Sequence, residues 1–546
     1  MKRLTPLERA KLLRNDSGNA RRLFEAARGE NGEAKLLWLA DGNGGKGCWV
    51  AFDGVRWSID EGPALALAFA QKAAAGIIDE VAAVRDAEPE ELSAVFGPKF
   101  TREMADELMT HLYGWAVKSG DMAKISGMQG AFKGLRDGEE GPFVTQAWLR
   151  EFDAQPLAYH VGNGTVRFIL RQAQDGPEVW EHQFTPGHHA GDRFMQIANV
   201  AYDAGATAPA WITRMEVMHH DPVQRTAIQR IYGMTLTALI TDQAFYIFQG
   251  KGQDGKSLTN DVICQLHGPY ARKTDPKTFL EGPAQAGSAH QSDIVRLSGD
   301  IRLVVGDEPK KNSTWDGQRI KQATGSEMIA RGAHATTEMS FVPHWQLIFE
   351  CNGLPKAPSD DRGFRRRFKL YPWVIQFGVT PGVPDEPGDV VKARLQGELP
   401  GILNWMIAGC LEWLGDRVIP QPAASQRASA SFWATSSALG EWIESCCDLT
   451  DPEARSEATP LYQAFRQFCI DRGDKEDRIM SQTTFGLRLN DAQIYSVPNH
   501  ATGKKERVGI RLKAGGGGAG DAGTGGAGEG WLPPGSDDDL DPFGAP

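Results

Sequence analysis

The stretch Phe248-Gln249-Gly250-Lys251-Gly252-Gln253-Asp254-Gly255-Lys256-Ser257-Leu258 carries the densest chemistry in the chain. Its Gly250-x-x-x-x-Gly255-Lys256-Ser257 spacing is a full match to the Walker A pattern. Glycines there let backbone N–H groups curl around phosphate oxygens, a lysine reaches the β and γ phosphates, and a serine hydroxyl ligates Mg2+. Gly250, Lys251, Gly252, Gln253, Asp254, Gly255, Lys256, Ser257 and Leu258 are thus the expected nucleotide-binding set, with Lys256 also catalytic.

Hydrolysis needs carboxylates as well. Ile301-Arg302-Leu303-Val304-Val305-Gly306 reads as a strand running into Asp307-Glu308. Asp307 would hold Mg2+ directly or through water, and Glu308 would orient and activate the attacking water. Gln346-Leu347-Ile348-Phe349-Glu350-Cys351 is a second such strand, ending at Asn352, an amide able to hold the water or the γ-phosphate. Between Asp361 and Lys369 five positive charges gather. An arginine from a neighbouring subunit could neutralise charge developing on the γ-phosphate, which implies a ring.

The elements that must position these residues follow from pattern. Apolar Phe245–Phe248 precedes the glycine-rich loop as a strand, and Leu258, Val262, Ile263 and Leu266 recur at helical spacing after it. From 206 to 395 helical segments alternate with short apolar strands, an α/β signature. Residues 396–417 read as an amphipathic helix, so the catalytic core is placed at 206–417. A mixed α/β region is expected over 16–205. It has a helix from Ser17, a strand Cys48–Phe52, a turn at Asp53-Gly54, a strand 55–59 and Ala-rich helices from 62 to 135. Residues 1–15 read as a flexible lead-in, 418–437 as a linker, 438–513 as a small α+β unit, and 514–546 as a Gly-rich acidic tail unlikely to fold.

Bulk properties bound the rest. A chain of 546 residues, 41% hydrophobic and 24% charged, suits several soluble domains. The start MKRLTPLERAKLLRND lacks the apolar run of a secretory signal, and no stretch is apolar enough to span a bilayer. A cytoplasmic location and no membrane partner are expected. Seven scattered cysteines form no C-x-x-C pair, which argues against structural zinc or a disulfide framework. Of the net charge of −11, six charges lie in 514–546, so the total does not exclude nucleic acid.

Together these residues resemble the superfamily 3 helicases, in particular the phage and plasmid primase–helicase family related to the poxvirus and satellite-phage replication ATPases. The resemblance covers roughly 16–513. It includes Asn19-Ala20, Trp49…Asp53-Gly54-x-x-Trp57, Phe152-Asp153-x-x-Pro156, Asn163-Gly164-Thr165 and Ile231-Tyr232-Gly233-Met234-x-Leu236-Thr237. Lys321-x-x-Thr324-Gly325-x-Glu327-x-x-Ala330-Arg331, Asn352-x-x-Pro355 and Arg366-Arg367 follow in order. The resemblance implies an AAA+-type P-loop ATPase core, ATP and Mg2+ as cofactors, and a hexameric ring moving 3′→5′ along single-stranded or forked DNA. It implies Arg366 or Arg367, between which spacing does not choose, as the finger from the neighbouring subunit, and central-channel contacts by Lys321, Arg331 and His334. Phage, prophage or plasmid replication would be the setting, with a separate primase or other replication proteins as partners. Asp254 departs from the family's usual Asn and puts negative charge near the phosphates; Glu327 stands at a usual Asp. No zinc-binding cysteine set or Asp-x-Asp precedes the core, so no primase site is expected in this chain.

Leu461, Phe465, Phe468 and Cys469 share one helical face, and Ser481 can cap a second helix bearing Arg488 outward. Two strands then flank a turn with Lys504 and Lys505, an order that suggests a winged helix whose DNA contacts would be Arg488, Lys504 and Lys505. Two other functions fit part of the pattern. A P-loop phosphotransferase would share Walker A without needing the arginine pair or the carboxyl-terminal unit. A nucleotide-switched DNA-binding scaffold would keep every motif yet not separate strands.

Overall fold

The computed structural model describes residues 3–513 apart from 137–141, 143, 173–175, 283–292, 311–312, 326, 331–338, 359–360, 437, 474–475, 477–478 and 500. The acidic tail therefore lies outside the described residues. By packing, the chain divides into two units, residues 1–433 and 434–546.

In the first unit a helix over Asp16–Ala26 starts where Asn15 Oδ1 accepts from the backbone N–H of Gly18 at 2.8 Å. The lead-in is docked on it: the Arg22 guanidinium donates to the Leu13 carbonyl at 3.0 Å, and Glu25 accepts from the Leu4 N–H at 3.2 Å. Strands Trp57–Ser58, Cys48–Phe52, Leu36–Leu39 and Gln146–Ala147 form a four-stranded sheet in that spatial order. The Ala-rich stretch becomes five helices, from Gly62–Ala75 to Met122–Phe132. A separate antiparallel sheet follows, built from Ala158–Val161, Gly164–Gln172 and Glu178–Pro186.

Five parallel strands make the central sheet, in the order Phe368–Pro372, Phe245–Gln249, Gln346–Cys351, Leu303–Gly306, Ala271–Thr274. The three inner strands are continuous buried runs, as expected of a sheet covered on both faces. The third of them starts at Leu303, two residues later than its sequence suggests. Arg302 is drawn out of the strand, buried against Asp300 and donating to the carbonyls of Leu236 at 3.0 Å and Ala158 at 3.1 Å. The 205/206 position falls inside this unit.

The Ser/Ala-rich segment that reads as a linker contains a helix, Ala423–Thr435. Alanines favour it, and Phe432 stacks on Phe368 with ring centroids 4.7 Å apart, which gives the helix an anchor. No helix among the described residues is long and apolar enough to cross a membrane.

The second unit has helices Ala438–Cys446, Ala458–Asp471 and Gln482–Asp491 and a sheet ordered Arg455–Glu457, Lys505–Val508, Ser496–Pro498. Its core joins Trp442, Leu461, Phe465, Cys469, Phe485 and Leu489. Ser481 caps the last helix, its hydroxyl oxygen accepting from the Thr484 N–H at 3.3 Å.

Candidate active site

The glycine-rich loop leaves the strand Phe245–Gln249 and enters the helix Lys256–His267. Gly252 and Gly255 adopt φ values of 89° and 84°, and Gln253 adopts 55°, a left-handed backbone that only a well-held non-glycine keeps. The hold comes from across the loop. The Phe377 N–H donates to the Gln253 carbonyl at 2.7 Å, and Gln376 Nε2 donates to the Gly252 carbonyl at 3.0 Å. At Gly255 a Cβ would sit 2.7 Å from Met218 Sδ and 2.9 Å from the Arg214 guanidinium, so space as well as φ demands glycine.

Beneath the loop lies a cavity of about 400 Å³ lined by residues 252–258, Asp307, Glu308, Glu350 and Asn352. These groups come from the carboxyl ends of three adjacent parallel strands, the edge where open α/β sheets place their ligands. Lys256 and Asp254 are both buried and form an ion pair inside the loop. The Asp254 carboxylate also accepts from the backbone N–H groups of Gly252 at 3.2 Å and Lys256 at 3.3 Å. Lys256 Nζ donates further to Asn352 Oδ1 at 3.2 Å, and Asn352 Nδ2 donates to Glu308 Oε2 at 2.8 Å. Lys256, the Asn352 amide and the candidate base Glu308 are thus one chain of hydrogen bonds. Asp307 stands exposed at the mouth of its strand.

The Ser257 hydroxyl donates to Glu350, whose other oxygen accepts from Asn260 Nδ2 at 2.9 Å. Burial pushes the Glu350 carboxyl above its ordinary range, the bonds from Ser257 and Asn260 and the charge of Lys273 pull it back, and Asp307 adds to the rise. Sequence reasoning passed over Glu350 and Asn260. Both were accessible from spacing: Glu350 precedes Asn352 by two in an extended run, and Asn260 follows Ser257 by three on a helix.

The donors suit Mg2+. Ser257, Asp307 and Glu308 present hard oxygens, while no group of three or more potential metal-ligating side chains is preassembled among the described residues.

Beyond Gly255 and Leu258 opens a second cavity of about 590 Å³, largely apolar. Across it Arg214 lies over the Phe377 ring, 4.1 Å from the centroid, with its Nε unpartnered.

The remaining predicted residues lie elsewhere. Arg366 and Arg367 end the short helix Arg362–Arg367 just before the strand Phe368–Pro372, at the amino edge of the sheet. Arg367 is 6% exposed and donates to Thr324 Oγ1 at 3.0 Å, the Gly363 carbonyl at 2.8 Å and Gln243 Oε1 at 2.9 Å. Arg366 is exposed and reaches the same Gln243 oxygen at 2.6 Å. The glycine-rich loop is at the opposite, carboxyl edge, a full strand away. Lys321 pairs with Asp361 at 2.7 Å. Arg331 and His334 lie outside the described residues; on either side of them Met328–Ala330 pairs antiparallel with Met339–Phe341. In the second unit Arg488 is on the exposed face of its helix, Lys504 pairs with Glu457 at 2.8 Å, and Lys505 is exposed.

Residues 41–219 match the family model described as D5 N terminal like. The protein named "Putative helicase 022R" of frog virus 3 (isolate Goorha) is 26% identical over 240 residues, 42% of this chain and 24% of that protein. "Putative helicase L207/L206" of Acanthamoeba polyphaga mimivirus is 27% identical over 157 residues, 29% of this chain and 16% of its own length. "Putative helicase 184R" of invertebrate iridescent virus 6 is 28% identical over 140 residues, 25% of this chain and 14% of that protein. The matched stretches thus span about a quarter or less of these relatives. Among solved structures, the apo C-terminal region of NrS-1 superposes loosely, with a TM-score of 0.34 at 10% identity over 70% of this chain and 89% of that one. The domain match and the viral relatives support a D5-like family.

Proposed function

We propose that this chain is an ATP-driven DNA helicase of the D5-like kind, acting in replication. The observation that carries this reading is the single cavity where Lys256, Ser257, Asp307, Glu308 and Asn352 meet at the carboxyl edge of the parallel sheet. Lys256, released from Asp254, would hold the β and γ phosphates while the loop N–H groups take the rest. Ser257 and Asp307 would hold Mg2+, which supplies charge neutralisation between the phosphates. Glu308 would orient the attacking water, with its own position set by Asn352. The apolar cavity beyond Gly255 would take the base, against the Arg214–Phe377 pair.

Helicase action rests further on the viral relatives' names and on the second unit. Its order of helix, two strands, two helices and three strands supports a winged-helix reading, in which Arg488, Lys504 and Lys505 would be the phosphate contacts. Movement 3′→5′ in a ring on single-stranded DNA completes the proposal.

The test is ATP hydrolysis by the purified chain with and without single-stranded DNA, beside Lys256→Ala. DNA should stimulate hydrolysis, and the variant should lose about 100-fold or more. Hydrolysis indifferent to DNA would overturn the translocase and favour a nucleotide-switched scaffold.

A further inference from the structure

Glu350 is a buried carboxylate, 7% exposed, that makes no ion pair among the described residues. Such a charge is costly unless something compensates it. Both its oxygens are instead occupied by neutral donors: the Ser257 hydroxyl on one, Asn260 Nδ2 on the other at 2.9 Å. Behind them the Tyr232 hydroxyl donates to Asn260 Oδ1 at 2.8 Å, and Tyr232 and Asn260 are fully buried. The carboxylate therefore cannot turn without breaking a chain that runs through three elements. It faces the cavity that also holds Asp307.

A serine hydroxyl that ligates a cation does so through an oxygen lone pair, so its proton must point away from the ion. In this site the acceptor for that proton already exists. We infer that Glu350 is a positioning residue of the divalent-cation subsite: it holds the Ser257 proton so that the hydroxyl oxygen faces the ion, and its charge waits for a countercharge that arrives with the nucleotide. Asn260 and Tyr232 lock Glu350 in that role. Outer partners of this kind tune metal affinity without touching the metal. The inference rests on the nucleotide-site reading.

The full-length chain is titrated with a fluorescent ATP analogue in excess Mg2+ and again in EDTA, for the native protein, Glu350→Gln, Ser257→Ala and the double variant. The glutamine keeps the shape but cannot accept from both neighbours at once. It should lose roughly tenfold or more of the affinity that Mg2+ adds, while binding in EDTA should not weaken, since one carboxylate fewer faces the phosphates. The double variant should lose no more than Ser257→Ala alone. An undiminished Mg2+ gain in Glu350→Gln, or losses that multiply in the double variant, would overturn the inference. Asn260→Ala, which frees one Glu350 oxygen but keeps Ser257, supplies the same contrast if the glutamine variant fails to fold: the selective loss supports the lock, and its absence overturns it. Native binding with no Mg2+ dependence would overturn the cation subsite and this inference with it, whereas no binding of the nucleotide at all would overturn the nucleotide-site reading itself.

Discussion

Asp254 takes the donors a phosphate would take. Its carboxylate holds the N–H groups of Gly252 and Lys256 and the Lys256 ammonium, so the loop is closed on an anion of its own. On the proposed function, nucleotide would have to displace that anion before Lys256 could serve it. Asp254→Asn keeps the shape and removes the charge. The freed loop should bind ATP about tenfold more tightly, a change of about 1.4 kcal/mol. The nucleotide-free variant should also melt at a lower temperature, because Lys256 stays buried with neutral partners in place of its ion pair. Fluorescent-nucleotide titration and thermal melting read the two effects, and unchanged or weaker binding would refute the latch. At this scale the local chemistry was open to inspection of the sequence: Lys256-Ser257 and Asp307-Glu308 announce themselves by neighbours. The choice between Arg366 and Arg367 was not, because only the fold buries one and leaves the other in solvent.

The helix Lys256–His267 is pinned at its far end by a neutral imidazole. Thr235 gives its hydroxyl proton to the Tyr232 carbonyl, so it can only accept from His267 Nε2–H, at 2.8 Å. Nδ1 is then the acceptor for the Tyr159 hydroxyl at 2.7 Å. Burial, with Arg302 nearby, pushes this histidine down to about 3. Unfolded, it takes up a proton below about pH 6.5; folded, it does not until far lower. Its contribution is complete above that pH and is lost as pH falls, at about 1.4 kcal/mol per pH unit. His219 and His160, each lowered to about 4 mainly by burial, act in the same direction. Denaturant midpoints should fall between about pH 7 and pH 5, and His267→Gln, which can mimic the neutral tautomer, should flatten part of that slope.

Two neighbouring helices, Pro222–Met234 and Leu399–Asp416, cross at glycines. A Cβ at Gly409 would lie 2.5 Å from the Gln229 carbonyl oxygen, and one at Gly233 would lie 2.4 Å from the Cys410 nitrogen. Backbone atoms cannot step aside, so Gly409→Ala should cost about 1–3 kcal/mol in denaturant unfolding. A native midpoint would show that the helices part freely. Inner strands were legible as apolar runs, whereas the two edge strands were not. Ala271-Arg272-Lys273-Thr274 has no apolar pattern, and Phe368–Pro372 follows an arginine cluster that reads as surface. Strand order was equally hidden, since parallel neighbours here are joined by long crossovers.

At the scale of the molecule, the site is short of positive charge. Asp254, Glu308, Asp307 and Glu350 face it with a single lysine, and none of its lining residues is an arginine. Arg366 is exposed, but it belongs to the amino edge of the sheet beside Gln243, whereas the loop begins at Gly250. The strand Phe245–Gln249 between those points spans roughly 16 Å, too far for a side chain to bridge. If Arg366 neutralises the transferring phosphate, it does so in another copy's cavity. Arg366→Ala should then fold and bind ATP normally yet hydrolyse about 1,000-fold more slowly. Arg367→Ala should chiefly lose stability, since it breaks three internal hydrogen bonds. The decisive experiment mixes Arg366→Ala, with an intact cavity, and Lys256→Ala, with an intact arginine. Each alone should be nearly inactive, and the mixture should regain hydrolysis, because some Arg366→Ala cavities now border a subunit that still carries Arg366. Without such rescue, Arg366 does not act between subunits, and the structural case for a ring built around a shared site falls with it.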